Sequence, residues 1–247
     1  MRANCESTAQ TLNKLVAKAF YISSEYNPHS LKRDWGFFIE TARPDIFSEI
    51  SRTSLVTLRQ TLVRSLREIA SADHVISANK EGNSKPEPSS PAKVTTDIPE
   101  ATANALYNEV GLDVLTLALL ADVPLHRPLH ISHNSLIGHW RWLRLVWRTL
   151  AQTETKPVAI HPIKEFQPAQ MLRDALLENR NNVAIAQLRQ MFHDLHEGPC
   201  VGKPEQVDRD KLYSFLANLT LFCPFIGSEL SYQYGLVEAP CTEGSLK

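Results

Sequence analysis

The ten residues Val114–Val123, VLTLALLADV, constrain this chain more than any other stretch. Wound as a helix they are apolar on nearly every side, and a helix of that kind is stable only when it is buried all round. The rest of the chain must supply neighbours for it. That requirement predicts a buried helix over Val114–Val123 at the centre of the larger, C-terminal helical unit. Gly111, just upstream, predicts an interruption between this run and a helix that starts near Pro99 and carries Leu106 and Val110. No run in the chain approaches the roughly 18 apolar residues needed to cross a bilayer, so no membrane insertion is expected.

Helical periodicity recurs on both sides. Residues 7–22 place Leu12, Leu15, Val16, Ala19 and Phe20 on one face, and Asn27-Pro28 ends that segment. Residues 30–41 follow with Trp35, Phe38 and Ile39. Pro44 then reads as the first position of one long helix reaching about Ala72, where its missing N–H is no loss. Arg52, Arg59, Arg64 and Arg67 scatter around that cylinder and read as a solvated face. Downstream, residues 168–179 carry Met171, Leu172, Ala175 and Leu176 on one side, and 182–197 carry Ile185, Leu188, Phe192 and Leu195. Asp208 is placed to cap a last helix through Leu212, Phe215 and Phe222. The tail from about 224 reads as irregular, and Lys156–Ile163 is the only strand-like segment. The expected fold class is all-α (mostly α), with at most one short strand.

Between Ser77 and Asp97 the chain turns polar and proline-rich, SANKEGNSKPEPSSPAKVTTD. Such a segment buries too little apolar surface to offset the entropy of ordering it. It predicts a flexible linker or long loop over 77–97. That stretch divides an N-terminal three-helix unit, 1–76, from a larger C-terminal helical domain, 98–247.

The most unusual stretch is His126–Leu150, HRPLHISHNSLIGHWRWLRLVWRTL. It holds three of the chain's four tryptophans, and no carboxylate occurs between Asp122 and Glu154. From Ser135 to Leu150 the periodicity is that of an amphipathic helix, with Asn134 or Ser135 as its cap. Leu136, Trp140, Leu143, Trp147 and Leu150 share a face, with His139 and Val146 at its edge. Arg141, Arg144 and Arg148 form a neighbouring stripe. Trp142 and Leu145 lie away from the main face, which calls for burial on a second side. Tryptophan and arginine together mark interface anchors, so Arg141, Trp142, Arg144 and Arg148 are the candidate binding residues. The plain alternative is a core helix whose arginine stems cover apolar surface.

Other chemistry has weaker support. His126, His130 and His133 form the densest set of metal-ligand types, but they lack the thiolates or carboxylates at fixed spacing that zinc sites use. His193 and His196 sit at a helix C-terminus, where imidazoles favour the exposed carbonyls. No glycine-rich phosphate loop, nucleophile elbow or zinc-protease motif is present. No catalytic residue and no cofactor is therefore assigned, and the chain leans away from being an enzyme. The four cysteines, Cys5, Cys200, Cys223 and Cys241, form no C-x-x-C. That spacing fits a reduced, cytoplasmic protein, with a single Cys200–Cys223 or Cys223–Cys241 bridge as the alternative. Net charge is −1, without the basic domain of a dedicated nucleic-acid binder.

Three functions are ranked on these grounds. First is a non-enzymatic interaction protein (an adaptor, regulator or assembly component) that uses the tryptophan helix to contact another protein. Second is a nucleic-acid-associated regulatory protein. Third is a metal-dependent enzyme built on the histidine loop.

Overall fold

The computed structural model describes residues 34–52, 54–72, 92–151, 168–196 and 209–238. The fold is all-α. Among the described residues there are nine helices and one pair of three-residue strands. In chain order the first helices are α1 (Gly36–Ala42), α2 (Pro44–Ser51), α3 (Leu55–Ala72), α4 (Ala103–Leu120) and α5 (His133–Leu150). Then come α6 (Gln170–Leu177), α7 (Asn181–His196), α8 (Arg209–Phe222) and α9 (Pro224–Gln233). Strand β1 (Val94–Thr96) lies parallel to β2 (Leu129–Ile131), with Thr95 opposite His130. Parallel strands need a crossover, and α4 is that crossover.

The apolar run sits where its composition demands. From Val110 to Leu120 every residue of α4 is buried, and α2, α3, α5, α7, α8 and α9 all pack against it. The helix opens on Thr102, whose hydroxyl accepts the Ala105 N–H. It bends at Gly111, with φ 76° and ψ 167°, a backbone conformation open to a residue without a Cβ. Leu58, Leu62 and Leu66 of α3 belong to the same core as α4. Helices before and after the 77–97 stretch thus share one apolar interior.

A helix buried this completely needs partners for its polar groups. Arg59 of α3 supplies them at the C-terminal end. Its Nε donates to the Leu119 carbonyl at 2.9 Å, Nη1 to Arg127 at 3.1 Å, and Nη2 to Val123 at 2.9 Å and Pro124 at 3.1 Å. Burial lowers its pKa, but a guanidinium stays charged, and a cation suits the negative end of a helix. Arg59 is therefore no part of a solvated face. Arg52 and Arg64 are exposed and Arg67 is half-buried, closer to expectation.

Asp113, the one charged residue within the buried run, caps a different helix. Its Oδ1 accepts the Phe225 N–H at 3.1 Å and its Oδ2 the Ile226 N–H at 2.8 Å, which satisfies donors at the start of α9. Glu229, also buried, accepts the Trp35 indole N–H at 2.8 Å and the Gln233 amide at 3.2 Å. The Tyr234 hydroxyl donates to the Leu150 carbonyl at 2.9 Å and closes α5.

Several expectations are corrected. The single helix over 44–72 is two helices, because Ser54 accepts the Thr57 N–H and starts a new one. Residues Pro224–Gln233, expected as the start of an irregular tail, are helical. Among them Ser228, Glu229, Ser231 and Gln233 are buried polar residues, and such a pattern reads as a loop in one dimension. The last residues of the expected linker contain β1. Helix α5 starts earlier, with Ser132 as its cap and Ser135 returning the bond as a capping box. Phe38 and Met171, expected inward, are exposed. Cys223 is a free, buried thiol. The expected helix over 7–22, most of the linker, the strand-like 156–163, the Asp208 cap and Cys5, Cys200 and Cys241 lie outside the described residues.

Three measurements follow from this packing. A Cβ added at Gly227 would lie 2.5 Å from Thr220 Oγ1 and 2.7 Å from the Thr220 backbone nitrogen. Gly227→Ala should therefore destabilise by about 1–3 kcal/mol in urea unfolding, the usual cost of overpacking. Gly138, where an added Cβ meets nothing within 4 Å, should gain roughly 0.5–1 kcal/mol from the same substitution. Arg59→Met should cost about 3 kcal/mol or more, since it strands buried carbonyls.

Asp113 adds a pH test. Burial pushes its carboxyl from an ordinary 3.8 up to about 7, against the opposing pull of the Ile226 and Phe225 N–H groups and of Arg43. Between those values the folded state holds a proton that the unfolded chain has released. Stability from this group is thus full below the unfolded value and is lost as pH rises towards 7. Urea melts of the parent and Asp113→Asn across pH 4–8 should show the parent losing ground to the variant as pH rises. A constant difference between the two would contradict the assignment.

Candidate interaction surface on the tryptophan helix

Helix α5 has three distinct sides. The innermost holds Leu136, His139, Trp140, Leu143, Val146 and Leu150, all buried and packed against α4 and α9. This shifts the expected face by one position. Val146 is fully buried and Trp147 only half-buried, because the seam follows Leu136, Leu143, Val146 and Leu150.

The second side meets α7. Trp142 is half-buried, with its ring edge-to-face with Phe192 at 6.2 Å and 87°. The Arg189 guanidinium lies over the same indole, 5.4 Å from the ring centroid, in cation–π range. Arg189 also reaches His139, with Nη2 2.8 Å from Nδ1. Arginine only donates, so Nδ1 is the acceptor and the imidazole proton sits on Nε2. That nitrogen is 3.8 Å from Asp122 Oδ1, too far for a hydrogen bond. Burial lowers the His139 pKa to about 4, opposed by Asp122 and reinforced by Arg189. His139 is therefore neutral near pH 7 and serves as a polar joint between the helices. Trp142, expected to offer an aromatic surface, is largely occupied by this joint. Arg144 is half-buried, with its guanidinium 5.5 Å from the Trp140 centroid one turn away.

The third side faces outward and carries Gly138, Arg141, Leu145 and Arg148, all exposed. Leu145 was expected to need burial, yet it is 43% exposed. Among the described residues no ion pair involves Arg141, Arg144 or Arg148. Arg148 lies seven positions after Arg141, about 10 Å along the axis, with Leu145 between them. Of the candidate binding residues, two are thus exposed cations without an ion pair among the described residues, and two lean on indole and phenyl rings. Neither Leu145 nor Gly138 was among the candidate binding residues read from the sequence, because exposure is decided by which neighbours arrive.

The histidine loop does not converge. His126 is exposed beyond the end of α4. His130 on β2 places Nδ1 3.1 Å from the Thr95 hydroxyl. His133 opens α5, where its charge acts on Glu109 and opposes the rise that burial causes in that carboxyl's pKa. Among the described residues no three His, Cys, Asp or Glu side chains form a group suited to a metal ion. His193 is exposed near the end of α7. No helix among the described residues is long and apolar enough to cross a membrane.

No protein-family model matches the chain, and no curated protein matches it.

Proposed function

We propose that this is a non-enzymatic helical interaction protein, an adaptor, regulator or assembly component, whose outer α5 face contacts another protein. The observation that carries this reading is the pair of exposed guanidiniums, Arg141 and Arg148, without an ion pair among the described residues, on either side of the exposed Leu145. They lie on a helix without a single carboxylate. Apolar side chains flanked by arginine are the usual ingredients of an interface centre. Arg144 and Trp142 border the same surface, with the inner faces of both held by the fold. The free thiol of Cys223 fits the reducing cytoplasm.

A nucleic-acid-associated role is the second reading, favoured by the same carboxylate-free helix. Salt separates the two. Three phosphate contacts would give a log–log slope of about −2 to −3, whereas a compact protein interface responds less and loses affinity mainly through faster dissociation.

The test is recovery of the native complex with the parent and with an Arg141→Gln, Leu145→Ser, Arg148→Gln variant. All three side chains are exposed, so the variant should unfold within about 0.5 kcal/mol of the parent. Partner recovery should survive nuclease treatment with the parent and fail with the variant. Unchanged recovery by the variant would refute the surface, and loss on nuclease treatment would favour the second reading.

A further inference from the structure

A second surface, remote in sequence from α5, has the features of a small-molecule site. Residues Gln60, Arg64, Arg67 and Ser71 follow one another along α3 at the i, i+4, i+7, i+11 spacing, within about 60° of arc on the helical wheel. They line a groove with a cavity volume of about 300 Å³. Its other walls come from outside the helix: Leu125, in the loop after α4, and Asn179, in the turn between α6 and α7. An ordinary solvated arginine pair on a helix has no such walls.

Both walls are held in place. Arg59 binds the carbonyls of Val123, Pro124 and Arg127, which bracket Leu125 on both sides. Asn179 has φ 57°, and its N–H donates to the Leu176 carbonyl at 3.0 Å. The groove is therefore shaped before any ligand arrives, which lowers the entropy of binding.

Its chemistry is that of an anion receptor with an apolar floor. Arg64 and Arg67 oppose the single carboxylate of Glu68 among the lining residues. Arg64 spends one donor on the Thr61 hydroxyl at 3.2 Å. Among the described residues, the side chains of Arg67, Gln60 and Asn179 have no hydrogen-bond partner. Val63 and Leu125 supply the apolar contact. The volume is at the low end for ligand pockets, which limits the occupant to a small molecule. We infer that this groove binds a small organic anion, its carboxylate or phosphate head on Arg67 and Arg64 and its apolar body against Val63 and Leu125. A guanidinium matches both head groups.

The test uses inorganic phosphate, phenyl phosphate and benzoate as probes, titrated calorimetrically at low ionic strength into the full chain. At least one ring-bearing probe should bind saturably at one site and more tightly than inorganic phosphate. If phenyl phosphate binds and benzoate does not, the head group is a phosphate; the reverse identifies a carboxylate. Arg67→Gln should weaken binding by roughly tenfold or more, the scale of one lost charge-assisted hydrogen bond. Arg52→Gln, which removes an exposed arginine paired with Glu49 elsewhere on the chain, should leave it unchanged. Should Arg67→Gln fail to fold, the exposed Arg64→Gln takes its place with the same expected loss. Absence of saturable binding by all three probes, or equal weakening by Arg52→Gln, would overturn the site. Neither result bears on the α5 surface, which shares no residue with the groove.

Discussion

Everything in this structure is arranged around the burial of α4. A helix apolar on every side gains from each neighbour it acquires, and six of the described helices are gathered by it. The same burial removes water from its polar groups, so those groups must find partners in the protein. Arg59 answers for the C-terminal end and Asp113 turns outward from the middle to cap α9. Each converts a desolvation cost into a link between elements far apart in the chain. The links are directional where apolar packing is not, and they select one arrangement of helices from the many that would bury α4 equally well.

The arginines show how differently one residue type is used when burial differs. Arg59 is enclosed and spends its donors on carbonyls. Arg189 is half-buried and divides itself between an imidazole and an indole. Arg141 and Arg148 are exposed and spend nothing within the described residues. Of these, only Arg141 and Arg148 have no partner among the described residues. The α5 helix sorts its residues in the same way, with one side for α4 and α9, one for α7, and one left over.

The groove on α3 depends on the interior as well. Its wall at Leu125 belongs to a loop that would be free to move if Arg59 did not hold the carbonyls around it. A residue on the inner side of α3 thus shapes a cavity formed by residues on the outer side of the same helix. Arg59 therefore couples the stability of the core to the geometry of a surface feature, which neither apolar packing nor surface charge does alone.

Periodicity and composition determined much of this protein. The burial of Val114–Leu120, the bend at Gly111, the helical class and the amphipathic character of α5 follow from local pattern, because apolar spacing and backbone preference act over a few residues. Ala121–Val123, read as part of the same buried helix, lie past its end with Asp122 exposed. The tertiary structure decided the rest. Arg59 and Arg64 look alike in the sequence, and only the arrival of the loop after α4 makes one a buried anchor and the other a groove residue. Trp142 and Leu145 both point away from the main face of α5, and only the position of α7 covers the first and leaves the second bare. The polar residues of α9 signal a loop until Trp35 reaches Glu229 and Asp113 caps the helix through the Phe225 and Ile226 N–H groups, both from across the fold. Hydrogen-bond partners and exposure are properties of pairs distant in the chain, and a linear pattern carries no record of which pairs will meet.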